Sequence, residues 1–253
     1  MPSHREAIDM NEEPYRWLEA VGHRREYVRD QLKEGAPVAG ASLPDGILLL
    51  ALGTGQSKLY EIFDRHALGG LGHPSDLETL RQAAIDATHV EAFTRSAEDV
   101  SLRRLISYGL SPLFKTRLEQ VFNAPLILEL LLAELGSTPE GDRLYRLHHD
   151  GRFEQVLQRA AIASGHPEGE KQALAWLNEA LARTAGREQA ARCLAQACCW
   201  LERKPDFPLP LPDWSQEFWD DSRRDRVLEA VWLARDGDLP ARFESLPAPD
   251  LGL

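Results

Sequence analysis

The residues 53–58, Gly-Thr-Gly-Gln-Ser-Lys, place glycines and hydroxyls ahead of a lysine, the materials of a phosphate-cradling loop. In such a loop the lysine follows at a fixed spacing and a helix comes next. Here the spacing is wrong and a strand pattern follows Lys58, so a phosphate site is rejected. His148 and His149 with Asp150 have the chemistry of metal ligands. Neighbours on a strand point to opposite faces, however, and the reading is surface or turn histidines. His66, His73 and His89 have no acids or cysteines at ligand spacing. Cys198 and Cys199 lie on a helical pattern with Leu194 and Leu201, where they read as small buried hydrophobes. Lys58 remains the side chain for which a role has to be weighed.

The chain has 253 residues, 43% of them hydrophobic, enough for a substantial core. A net charge of -11 opposes a nucleic-acid partner, since phosphate backbones are bound by displacing counterions with Lys and Arg. Three cysteines, all within 193–199, make no disulfide framework and point to a reducing compartment, so a cytoplasmic protein is expected. The first 20 residues carry His4, Arg5, Glu6, Asp9, Glu12 and Glu13 rather than an apolar export signal. The longest apolar runs, 47–52 and 126–135, the latter broken by Glu129 and Glu134, fall short of the ~20 residues a membrane helix needs. No membrane partner and no cofactor or metal are expected.

Periodicity then arranges the elements. Residues 12–34 read as an amphipathic helix, with Trp17, Val21, Val28 and Leu32 near helical spacing and Gly35 ending it. Two apolar runs, 37–43 and 47–52, flank Pro44-Asp45-Gly46 as a hairpin, and strands over 58–63 and 66–71 follow. Two long helices are expected over 75–90 and 96–122, the second opening Ser96-Ala97-Glu98-Asp99 like a capped helix. Strands over 126–135, 143–148 and 153–163 precede helices over 168–183 and 187–203. A proline-rich insertion, 205–225, breaks the pattern. A last hairpin, 227–234 and 241–246, turns at Asp236-Gly237. In the insertion Trp214, Phe218 and Trp219 either cover the protein's own surface, the favoured reading, or dock on a neighbour.

Two helix pairs interrupting antiparallel strands suggest two packed sheets between helical layers. The residues Glu26-Tyr27-Val28-Arg29, Gly35-Ala36-Pro37-Val38-Ala39 and Asp45-Gly46-Ile47-Leu48-Leu49 resemble the leading helix, first strand and turn of bacterial proteasome α subunits. Residues 57–65, 76–81, 95–100, Tyr145-Arg146-Leu147 before Asp150-Gly151, and 228–235 continue the likeness in order. It spans roughly 12–246 apart from the insertion. The resemblance implies an α+β chain with the N-terminal-nucleophile hydrolase fold, a four-layer αββα sandwich. Its layout would be a flexible gate-like segment 1–11, a leading helix 12–34, the main domain 35–246 and a tail 247–253.

Active relatives of this fold use a threonine freed as the chain's N-terminus, its amine serving as base for its own hydroxyl. Counting back from Asp45-Gly46, that place falls on Pro37, which has neither hydroxyl nor primary amine. Cutting at Gly53-Thr54 instead would remove the first two core strands. The resemblance therefore implies a non-catalytic subunit in a ring, of seven by family likeness, that stacks on a ring of proteolytic β-type subunits, admits protein substrates and meets an ATPase or other activator. In α-type relatives the column of Lys58 receives the activator's C-terminal carboxylate beside a glycine. Lys58 and Gly72 fit those places, and His73 stands where a leucine is expected. The plain alternative is a solvated strand-edge lysine. Two rival functions remain: a free-standing amidohydrolase using Thr54 or an unrecognised nucleophile, and a non-proteolytic scaffold on the same fold.

Overall fold

A computed structural model describes the backbone of residues 4–184, 186–203, 225–235 and 242–253, with side chains from Tyr15 onward. Helix α1 (His4–Leu32) leads into β1 (Val38–Leu43), β2 (Gly46–Gly53), β3 (Leu59–Phe63) and β4 (His66–Gly72). Next come α2 (Pro74–Thr94), α3 (Leu102–Arg104) and α4 (Ser111–Glu119), then β5 (Leu128–Glu134), β6 (Arg143–Leu147), β7 (Phe153–Val156) and β8 (Ala160–Ala163). Helices α5 (Pro167–Ala182) and α6 (Arg187–Glu202) and strands β9 (Val227–Ala234) and β10 (Phe243–Leu246) complete the order. The insertion aromatics Trp214, Phe218 and Trp219 and the turn at Asp236-Gly237 lie outside the described residues.

The strands form two antiparallel sheets, ordered β10-β9-β2-β1-β8 and β3-β4-β5-β6-β7. Strand alternation makes four layers of them. All eight residues of β2 are buried, but they divide by parity. Leu48, Leu50 and Leu52 pack with Leu177, Leu194 and Trp200 of α5 and α6, whereas Ile47, Leu49 and Ala51 meet Leu131 and Ala133 of the opposite sheet. Leu130 and Leu132 of β5 turn the other way, onto Leu80 of α2, Ile106 and Phe114. A sheet buried on both faces needs such runs of Leu and Ile in place of polar alternation. The αββα sandwich is thus the arrangement the resemblance implied.

Three expectations are corrected. First, the leading helix was expected over 12–34; the helical backbone of α1 begins earlier, at His4, where residues such as Glu6, Ala7 and Met10 favour a helix. Second, the single helix over 96–122 is instead a 3-10 turn at Ala97–Asp99, α3, a π-helical turn at Leu105–Leu110 and α4. Ser96 caps only the short turn, and Val100 is extended. Pro112 in the first turn of α4 lacks an N–H, and the widened π turn lies directly before it. Third, the run 153–163 is two strands: β7 pairs with β6 in one sheet, and β8 pairs with β1 in the other.

Helix α1 docks through Val28 and Leu32 on Leu71. Arg24 completes the joint by donating to the carbonyls of Leu118 (2.9 Å), Arg117 (3.0 Å), Val121 (3.2 Å) and Asn123 (2.7 Å) at the C-terminal end of α4. The carbonyls of Arg117 and Leu118 stand in the last turn of α4, at the negative end of its dipole, and those of Val121 and Asn123 follow it, so a guanidinium suits the group.

Candidate functional site

The cleft around Lys58 forms where the end of α1, the link from β2 to β3, the end of β4 and the start of α2 converge. It has a volume of about 210 Å³ and is lined by Gly35, Ala36, Gly53, Lys58, Gly72, Leu77 and Arg226 among others. The Lys58 side chain folds back into the protein: Nζ donates to the carbonyls of Ala36 (2.6 Å) and Leu52 (2.9 Å). Its backbone N–H donates to Glu229 Oε2 (2.6 Å), and the next N–H, of Leu59, to Glu229 Oε1 (3.3 Å). Glu229 on β9 therefore fixes the chain where it enters β3. Burial lowers the Lys58 pKa to about 8, helped by the charge of Arg226 and opposed by Glu202, Cys198 and Glu229. An ammonium has three donors. Among the described residues two carbonyls take two of them, and the third makes no hydrogen bond to those residues.

Gly72 has to be glycine: its φ is +136°, and a Cβ would run into the backbone of Ile127. The next N–H, of His73, donates to Ile127 O (2.8 Å), and Ile127 N–H donates to Asp76 Oδ2 (2.9 Å), which seats α2 against β5. His73 itself turns away. It caps α2, its Nδ1 2.9 Å from Ser75 Oγ, and does not line the cleft. The apolar wall comes from Pro74 and Leu77 instead. The structure thus brings Lys58 and Gly72 together and sets His73 apart.

Pro37 is buried just ahead of β1, and Thr54 is exposed in the link after β2. His66 is fully buried with Nε2 3.6 Å from Glu134, and His89 is exposed with Nδ1 2.8 Å from Ile85 O. Cys198 and Cys199 are buried in α6, as read from the pattern. Burial pushes the Cys198 thiol up, away from the thiolate.

The histidine pair lies in a turn, one of the two places expected of it, but its members do not point to opposite faces. Strand β6 ends at Leu147, so His148 and His149 occupy a turn and both reach Glu129, at 3.5 and 3.0 Å from Oε1. Arg146 joins Glu129 (3.0 Å) to Glu170, which also accepts from Ser164 N–H (3.1 Å). Burial alone would raise the Glu129 pKa. Hydrogen bonds from the two histidines and the Arg146 charge outweigh it and hold the carboxyl well below the usual range. A glutamate inside an apolar strand was the available signal, since a buried charge needs a partner. Among the described residues no group of three or more His, Cys, Asp or Glu could hold a metal ion. Nor is any described helix long and apolar enough to cross a membrane.

No family model matches the chain. Among curated proteins, a proteasome subunit alpha of Actinosynnema mirum is 34% identical over 141 residues, 55% of this chain and 53% of the relative. One of Streptomyces avermitilis is 31% identical over 153 residues, 58% of each, and one of Paenarthrobacter aurescens 36% over 133 residues, 51% of this chain and 54% of the relative. The chain is similar to bacterial proteasome α subunits. It spans about half the length of the curated relatives it matches. These matches name the same family as the motifs of the leading helix, first hairpin and closing strand, and the four-layer sandwich suits proteasome α subunits.

Proposed function

We propose that the chain is a non-catalytic α-type proteasome subunit. It assembles into a ring, a heptamer by likeness, stacks on a ring of β-type subunits in the cytoplasm, and controls the entry of protein substrates at the pore with residues 1–11. The Lys58–Gly72 cleft receives the terminal carboxylate of an ATPase or other activator.

The observation that carries the docking part is the Lys58 ammonium, anchored by two carbonyls beside the bare backbone of Gly72. A compact cation with one donor to spare suits a single carboxylate. Catalysis is disfavoured by Pro37 at the nucleophile's place. Processing at Thr54 is disfavoured because it would discard β1 and β2, and in β2 alone Ile47, Leu48, Leu49, Leu50 and Leu52 are all fully buried. That loss is on the order of 10 kcal/mol.

Native mass spectrometry of the chain, alone and mixed with a bacterial β-type subunit, tests assembly. A ring alone or a stacked complex is the expected result; a monomer under both conditions refutes the ring and favours a scaffold. The intact mass tests the amidohydrolase rival in its Thr54 form, which requires a chain beginning at Thr54.

A further inference from the structure

Arg226 precedes β9 directly and lines the same cleft as Lys58. Sequence reading gave it no role. Three charged side chains stand on the cleft wall, Glu34, Lys58 and Arg226, and two of them are cationic. Arg226 contacts Glu202, in the last turn of α6, through one terminal nitrogen. Its side chain keeps 29% of its exposure, against 16% for Glu202, so solvent and a ligand can reach the guanidinium. Burial weakens the hold of Lys58 on its proton most, and among charged neighbours Arg226 pushes the same way. The two cations share one small space, where the charge of Glu202 bears on Lys58 more strongly than that of Arg226. An occupant that offers each of them a carboxylate gains two charge-assisted hydrogen bonds.

The walls narrow the class of occupant. A cavity of about 210 Å³ is below the ~300 Å³ of ordinary small-molecule pockets. Gly35, Gly53 and Gly72 line the cleft with backbone alone, whose polar groups can meet those of a peptide. Both features suit the last residues of a polypeptide.

We propose that Arg226 is a specificity-determining residue: it selects chain ends that carry an aspartate or glutamate within their last residues, while Lys58 holds the terminal carboxylate. This rests on reading Lys58 as the docking lysine. Arg226 acts on the side chain, and Lys58 on the chain terminus. Glu202 competes with the ligand for Arg226 and so limits the preference. Glu34 opposes acidic residues placed next to it.

Fluorescein-labelled alanine octapeptides, with Asp or Asn at the penultimate position and either a free or an amidated C-terminus, are titrated into the full chain by fluorescence anisotropy. The free-acid Asp peptide should bind about two- to fivefold more tightly than its Asn counterpart, the discrimination expected of a partly exposed charge pair. Arg226→Gln should bring that ratio to about one and leave Asn-peptide binding unchanged. Arg226→Lys should retain part of the preference, and Glu202→Gln should increase it. Amidation or Lys58→Gln should abolish binding of every peptide. If the free acids bind and the amides do not, yet the Asp preference is absent or survives in Arg226→Gln, the Arg226 assignment is wrong and the Lys58 reading stands. If amidation changes nothing, or no free acid binds, both fail. Circular dichroism on each variant separates loss of binding from loss of fold. Should Arg226→Gln fail to fold, the ratios in Arg226→Lys and Glu202→Gln decide.

Discussion

Lys58→Met is expected to leave stability at pH 7 almost unchanged while removing a rise in stability at alkaline pH. The wild-type ammonium is held at a pKa of about 8 in place of 10.5, because its neighbourhood is largely desolvated. Folded protein therefore binds this proton more weakly than unfolded protein does. Between pH 8 and 10.5 the unfolded state carries the extra proton, and stability rises with pH across that window. Below pH 8 the full penalty is present, about 3 kcal/mol at pH 7, falling to about 1 kcal/mol at pH 10. Methionine escapes the penalty but leaves the carbonyls of Ala36 and Leu52 without their donor, at about 1–3 kcal/mol each where burial is complete. The opposing terms nearly cancel at pH 7, within about 2 kcal/mol. From pH 7 to 10, however, the wild type should gain about 2.5 kcal/mol on the variant. Urea unfolding of both proteins at pH 7, 8, 9 and 10, followed by tryptophan fluorescence, gives the difference directly. Taking a difference cancels the titration of all other groups. A difference that stays constant, or that moves against the wild type as pH rises, would refute the reasoning. The same titration bears on the proposed docking, which needs the ammonium and should weaken as pH passes 8.

Arg24→Ala should lower stability by about 2–3 kcal/mol and open the link after α1 to protease, since four carbonyls at the end of α4 lose one shared donor; Arg24→Lys should recover less than half of this, as an ammonium cannot span all four. Asp142 accepts from Arg235 at both oxygens (2.9 and 2.8 Å), from Ser42 Oγ (2.6 Å) and from Gly136 N–H (2.9 Å). Asp142→Ala should cost about 3–5 kcal/mol by leaving Arg235 uncompensated, and adding Arg235→Ala should cost less than the sum of the two changes, as chemical denaturation of the double-mutant cycle will tell. Glu129 has a folded pKa below its ordinary 4.5, so its contribution is present above that pH and lost as pH falls. Glu129→Gln should therefore destabilise most at neutral pH, with its gap to wild type shrinking in acid melts below pH 4.5.

Much of the fold could be read locally because local chemistry decides it. The Pro44-Asp45-Gly46 turn between two apolar runs sets the β1–β2 hairpin, and Leu177 and Leu194 at helical spacing place α5 and α6 on a buried face. Lys58 and Gly72 were legible as a pair only through the family resemblance. Their 14-residue separation says nothing of contact until β3 and β4 pair and bring Gly70 N–H onto the Lys58 carbonyl at 2.9 Å.

Residue order alone determined that this chain alternates strands and helix pairs and carries glutamates in apolar strands that need partners. Tertiary structure alone decided which sheet each half of 153–163 joins, that Arg226 and Glu229 meet Lys58 from more than 160 residues away, and that His148 and His149 share one carboxylate. The physical reason is one of range. Side-chain periodicity encodes which way a residue faces within its own element, whereas its partners across the core follow from sheet register and helix docking, which are set by the burial of the whole chain at once.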